Sequence, residues 1–189
     1  MITAGHCLAA KASGVFYPRS TYRIYPGRNG TSSPYGVCTA ASLHTVSGWI
    51  GSGGNEAFDY GAIRLNCTIG NTTGWFGWWW QAASLNGLFT RVSGYPGDKP
   101  LTQWQSTGSV AVTQTNQIFY KNDTVGGNSG GPVWQSRGST ASFCRGSCAM
   151  AIHAYGLHGS SPHSTNNHGS RITSDRHNNF CTWRAPTPC

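Results

Sequence analysis

Glycine, asparagine and proline break this chain about every ten residues, and between the breaks no apolar period of helical length persists. The intervals are short and rich in β-branched and aromatic residues: VFY at 15–17, TYRIY at 21–25, YGAIRL at 60–65, LFTRVSGY at 88–95, GSVAVT at 108–113, GPVW at 131–134 and AMAIHAY at 149–155. TYRIY runs directly into Pro26-Gly27-Arg28-Asn29-Gly30, a strand followed by turn chemistry. This punctuation predicts an all-β sandwich or barrel. One helix is expected, at the C-terminus, where Thr173 or Ser174 caps the segment 175–183 and Phe180 and Trp183 face the packed side. The tryptophan-rich stretch 71–84 reads as a connector and divides the chain into residues 1–80 and 81–189.

With 189 residues there is enough chain to bury a core, as one domain or two small halves. Only 10% of the residues are charged, whereas 26 are Gly, 8 Trp, 8 Tyr and 7 Phe, a composition opposite to that of a disordered chain. Lys and Arg outnumber Asp and Glu by 13 to 5. The arginines are scattered singly, so no basic run tracks a phosphate backbone, and nucleic acid is not an expected partner. A cationic surface that attracts acidic partners is the simpler account. No apolar run approaches the roughly 18 residues of a membrane span.

Seven cysteines are present: Cys7, Cys38, Cys67, Cys144, Cys148, Cys181 and Cys189. The C-x3-C pattern at 144–148 matches half of a zinc site, but no second half follows. Few lysines and abundant Gly, Ser, Thr and Asn favour a secreted disulfide framework instead. An odd count leaves one thiol without a partner in this chain. Asn29, Asn66, Asn71 and Asn122 match the glycosylation pattern, a match without meaning if the source is bacterial.

Ser129 stands in GGNSGGP, residues 126–132. A glycine-rich turn ahead of a strand would account for those residues alone. A nucleophilic serine also needs this setting, because bare backbone lets a carbonyl approach and lets N–H groups reach its oxygen. Such a serine needs a base, and the base an orienting carboxylate. Of the five acids, Asp98 sits in a turn, Asp175 in the expected helix, and Asp59 immediately before the strand YGAIRL, where a carboxylate can be buried. His6, followed by Cys7 and a short Ala-rich turn, is the candidate base.

The order His6, Asp59, Ser129 is that of chymotrypsin. TAGHC, DYGAIRL, GWFG, SGYPGDK, DTVGGNSGGPVW, AIHAYG and GSRIT together resemble the chymotrypsin-like serine peptidases, and among them the bacterial glutamyl endopeptidases, over essentially the whole chain. The resemblance implies two antiparallel β-barrels with the triad in the cleft between them. It makes His6 the general base, Asp59 its orienting carboxylate and Ser129 the nucleophile, with the N–H groups of Gly127 and Ser129 as the oxyanion hole. Asn128 stands where animal relatives carry an Asp that pairs with a newly cleaved N-terminus, so that activation switch is not expected. His153 and Thr124, with Gly156, are implied as the pocket for a substrate Glu carboxylate. Two other readings stay open: His153 as a strand histidine satisfied by backbone, and Asp123 as a trypsin-like anchor for substrate Arg or Lys. His158, His163 and His168 follow His153 at five-residue steps; metal binding is conceivable, and a loop of solvated polar residues is the reading preferred.

In this family the first strands of barrel one precede the catalytic His, and the Cys after that His bonds to a Cys among them. Only five residues precede His6 here. The resemblance therefore implies an incomplete first barrel, Cys7 as the odd thiol, and poor activity of this polypeptide by itself. The pairing that goes with it is Cys144–Cys148, Cys181–Cys189 and Cys38–Cys67. The expected protein is a secreted, monomeric serine endopeptidase with protein or peptide substrates, cutting after Glu and less readily after Asp. No cofactor, metal, nucleic acid or membrane is called for. A non-catalytic cationic pseudopeptidase that binds anionic surfaces is the alternative from a different class.

Overall fold

The computed structural model describes residues 1–99, 101–184, 186 and 189. Strands β1 (Ile2–Thr3), β2 (Arg23–Ile24), β3 (Cys38–Thr45) and β4 (Gly61–Leu65) form an antiparallel sheet in the order β1-β4-β3-β2. Its centre is the β3–β4 pair, which runs from Ala40 opposite Leu65 to Thr45 opposite Gly61 with a bulge between Ala40 and Ser42. No pairing among the described residues closes this sheet, so the first barrel is an open half. The short helix α1 (Ser47–Ile50) follows β3 and buries Trp49. A disulfide between Cys38 and Cys67 ties the start of β3 to the segment just past β4.

The stretch 71–84 begins at the end of α2 (Gly70–Thr73) and contains β5 (Gly77–Trp78). β5 pairs in parallel with β10 (Gly146–Tyr155), at Cys148 and Ala149. Six strands then close a barrel: β6 (Phe89–Gly94), β7 (Trp104–Thr113), β8 (Gln117–Tyr120), β11 (Asn167–Arg171), β10 and β9 (Pro132–Arg137), with β9 returning to β6. Closure removes the exposed hydrogen-bonding edges of an open sheet. Val92, Val110, Ile118, Tyr120, Val133 and Met150 fill its interior, each almost fully buried.

Helix α3 (Ser174–Arg184) starts at Thr173, whose hydroxyl accepts from the Arg176 N–H. Phe180 is buried and Trp183 packs at the edge of the same cluster, on the side the sequence predicts. That cluster joins Ala4 and Tyr60 of the first half to Ile152, Ala154 and Ile172 of the barrel and Phe180 of α3, so one apolar core spans both halves. Arg176 reinforces it: its guanidinium donates to the carbonyls of Asn116, Arg171 and Ala57 and lies over the Tyr60 ring. Burial pulls its pKa down to about 10. No described helix is long and apolar enough to cross a membrane.

Two strand expectations shrink. VFY contributes a single bridge from Phe16 to Ala9, and TYRIY only the two residues of β2. Five strands lie outside the predicted runs: the two-residue β1 and β5, and the longer β3, β8 and β11.

Candidate active site

The 3-10 turn Gly5–Cys7 carries His6, and a second turn, Glu56–Phe58, delivers Asp59 at the head of β4. Asp59 is fully buried, and its carboxylate grips residue 6 twice. Oδ2 lies 2.6 Å from His6 Nδ1, and Oδ1 accepts the His6 backbone N–H at 2.7 Å. The ring is therefore fixed in position and in tautomer, with a proton on Nδ1 and Nε2 left for chemistry. Burial alone would lower the His6 pKa, but the Asp59 hydrogen bond and charge, with smaller help from Cys7, hold it above the ordinary histidine range. The ring sits between Tyr155 and Trp49, with centroids at 5.6 and 6.4 Å.

Ser129 follows a backbone that only glycine accepts. Gly127 has φ +104°, and a Cβ there would come within 2.7 Å of the Tyr95 carbonyl. Among the described residues the N–H groups of Gly127 and Ser129 donate to no protein acceptor, whereas their neighbours are bonded: Asn128 to Val125 and Gly130 to His153. The loop abuts the turn carrying His6. Cys7 Sγ is 4.0 Å from the Ser129 carbonyl oxygen, and a Cβ on Gly130 would collide with Thr3 Oγ1. The Ser129 hydroxyl donates to the Ala154 carbonyl at 3.3 Å, and no hydrogen bond joins it to His6. Such bonds are often long or broken without substrate.

His153 lies on β10, buried, with Nδ1 2.7 Å from the Tyr120 hydroxyl. Burial, and after it the charges of His168 and His6, lower its pKa to about 4, so it is neutral near pH 7. The Thr124 hydroxyl is buried and has no hydrogen-bond partner. Gly156 is exposed just past β10. Asp123 is exposed and lines a shallow cavity of about 150 Å³ with Thr124, Lys99 and Trp104. Asn128 is buried beneath the loop. The expected disulfides are formed at Cys38–Cys67, Cys144–Cys148 and Cys181–Cys189, and Cys7 is free.

No family model matches the chain. Individual proteins do. A glutamyl endopeptidase of Bacillus licheniformis is 43% identical over 183 residues, covering 96% of this chain and 55% of the relative. An extracellular metalloprotease of Bacillus subtilis is 39% identical over 185 residues, 97% of this chain and 54% of the relative. A solved structure of a Glu endopeptidase in complex with MPD superposes with a TM-score of 0.81 at 28% identity, covering 97% of this chain and 80% of that one. This chain belongs to the chymotrypsin-like serine peptidases, in their glutamyl endopeptidase branch. The protease Anisep from Arthrobacter nicotinovorans, at 23% identity and a TM-score of 0.76, covering 96% of this chain and 81% of that one, shares the fold. The chain spans about half the length of the curated relatives it matches.

Several residues around this candidate site escape the sequence reading. Ser170 on β11 donates to the Asp59 carbonyl at 2.7 Å, tying barrel two to Asp59. Tyr155 stands between His6 and His168. Burial and the Asp59 and Glu56 carboxylates push its phenol far above the usual range. No local pattern marks Ser170; an aromatic one residue after AIHA was the available signal for Tyr155. The solvated-loop reading of the histidines needs correction. His168 belongs to β11 and is fully buried, stacked on Phe119 and Tyr155, because its strand closes the barrel.

Proposed function

We propose that this chain carries the catalytic groups of a secreted serine endopeptidase that cleaves after Glu, and less readily after Asp, through an acyl-enzyme. Ser129 attacks the scissile carbonyl, His6 Nε2 takes its proton and returns it to the leaving amine, and Asp59 stabilises the imidazolium. The free N–H groups of Gly127 and Ser129 receive the oxyanion. The observation that carries the reading is the double hold of buried Asp59 on His6, beside a serine whose flanking amides lack protein acceptors. A buried carboxylate with no such task would be a costly feature.

Glu preference is supported by the Tyr120–His153 pair. If the phenol donates to Nδ1, the proton of neutral His153 sits on Nε2, ready to donate to a carboxylate. The unpartnered Thr124 hydroxyl supplies a second donor. Arg or Lys specificity through Asp123 is less well supported, since Asp123 shares its cavity with the cation Lys99. The disulfides, and the name of the extracellular Bacillus subtilis relative, favour secretion.

A fluorophosphonate probe tests the chemistry. Labelling of wild type that disappears in Ser129→Ala is the expected result, with paired Glu and Arg peptides giving turnover on the Glu substrate alone. An N-terminally extended chain that stays unlabelled at Ser129 leaves the pseudopeptidase reading. Metal-dependent hydrolysis, the activity in the Bacillus subtilis relative's name, predicts instead that a chelator abolishes turnover while the serine stays unlabelled.

A further inference from the structure

Outside the triad, four side chains from three segments converge on one point. Glu56 comes from the turn ahead of Asp59, His158 and His163 from the loop after β10, and His168 from β11. Glu56 Oε2 is 3.1 Å from His158 Nε2 and 3.2 Å from His168 Nε2. The ligand atoms of Glu56, His163 and His168 all lie within 4.8 Å of one another, and the three imidazole centroids are 4.7 to 5.3 Å apart.

Counting protons shows what this cluster lacks. His158 Nδ1 is 3.1 Å from the Gly156 carbonyl, which can only accept, so Nδ1 carries the proton. Its Nε2 faces a carboxylate oxygen, so either a second ring proton or a bound cation must lie between the two. His168, fully buried, turns Nε2 to the same oxygen and has no partner for Nδ1. The His163 ring packs edge-on against Phe119 and His168 and makes no hydrogen bond among the described residues. Lys11 lies 3.9 Å from the other oxygen, Oε1, which leaves Oε2 to the histidines.

We propose that Glu56, His158, His163 and His168 bind one divalent transition-metal ion of the zinc type. Three imidazoles and a carboxylate are donors that such borderline ions accept. Bonds of about 2.0–2.1 Å in a tetrahedron put ligand atoms about 3.3 Å apart, close to the two separations from Glu56; the atoms mutually within 4.8 Å are those of Glu56, His163 and His168, so His158 must swing in to complete the set. The Gly156 carbonyl is the outer-shell acceptor that ligating histidines ordinarily have. With four protein ligands no position stays open for water, so the ion is structural. It fastens the turn bearing Asp59 to the loop and closing strand of barrel two. The other group with metal-ligand spacing among the described residues, His177, Cys181 and Cys189, has both sulfurs in a disulfide and offers no thiolate.

The test is a titration of the whole chain, freed of metal by a chelator, with zinc by calorimetry and with cobalt by visible absorption. One ion per chain is expected, together with a tetrahedral cobalt spectrum and a rise in melting temperature. His158→Ala and His163→Ala, at partly exposed positions where folding is not at stake, each weaken binding at least about tenfold, the loss that even outer-shell partners cause. They also abolish the thermal shift. His6→Ala binds as wild type. The proposal is overturned by absence of binding, by binding that survives His158→Ala with His163→Ala, or by binding lost with His6→Ala. Absence of binding would make His158 an imidazolium paired with Glu56, and loss with His6→Ala would put the ion in the catalytic cleft.

Discussion

The Tyr120 hydroxyl lies 2.7 Å from His153 Nδ1, and both side chains are buried, Tyr120 in the barrel interior. A phenol donating to that nitrogen leaves the other carrying hydrogen while the ring as a whole stays neutral. Such a group greets an incoming carboxylate without first losing a charge-bearing proton to the interior. Replacing it removes the donor. His153→Val is expected to lower kcat/KM on a Glu peptide by about 10- to 100-fold, the worth of one hydrogen bond to a charged group. It leaves the rate of fluorophosphonate labelling nearly unchanged. Retained Glu preference in the variant would show that the carboxylate is read elsewhere.

The hold of Asp59 on His6 sets a pH limb. A general base must be neutral, so kcat/KM rises with pH as His6 loses its proton. Asp59 keeps that proton on, which places the limb above the ordinary histidine pKa of about 6.5. Asp59→Asn moves the limb to lower pH and lowers the plateau by about 10⁴-fold, as in other triads. The same linkage acts on stability. Because the folded pKa is raised, the His6–Asp59 contribution is full below the unfolded pKa and fades as pH rises through the folded one. Urea midpoints of wild type and variant therefore converge at alkaline pH.

Gly127→Ala tests the oxyanion loop. The new methyl meets the Tyr95 carbonyl, and φ of +104° is foreign to alanine, so the 127–128 peptide must move. Turnover is expected to drop by about 100- to 1,000-fold, the cost of one misplaced donor, with little change in KM. Equal kcat in variant and wild type would remove Gly127 from the hole.

Arg176 is a stability probe. Arg176→Ala removes the guanidinium donor from the carbonyls of Asn116, Arg171 and Ala57, of which that of Asn116 still accepts from the Arg171 N–H. Charged hydrogen bonds contribute about 1.5–3 kcal/mol each, and a loss of at least that size is expected in chemical denaturation. A midpoint unchanged from wild type would mean that water replaces the guanidinium.

Much of the barrel architecture is readable in advance because its strands alternate between breakers. AMAIHAY and LFTRVSGY become β10 and β6 with their central residues buried. The missed strands fail for identifiable reasons. CTAASLHT in β3 is built from small and polar residues that are only half covered, and it owes its extension to pairing with β4. QIFY in β8 is buried on all four residues and is too short to show a period. NHGSR in β11 carries no apolar side chain, yet four of its five residues are buried because it closes the ring. His6, Asp59 and Ser129 stand out in the chain because scarce acids and a glycine-flanked serine narrow the choice. Ser170, Tyr120 and Glu56 do not, since their tasks arise only when distant segments meet.

The guanidinium of Arg176 collects oxygens from three places that are remote in the chain, one of them on the very turn that positions Asp59. The last described helix is thus tied to the turn that presents Asp59, although it comes well after Ser129 in the chain. Evolution or design that trims or decorates the tail is consequently tuning the placement of an acid that lies far earlier in the chain but close by in space.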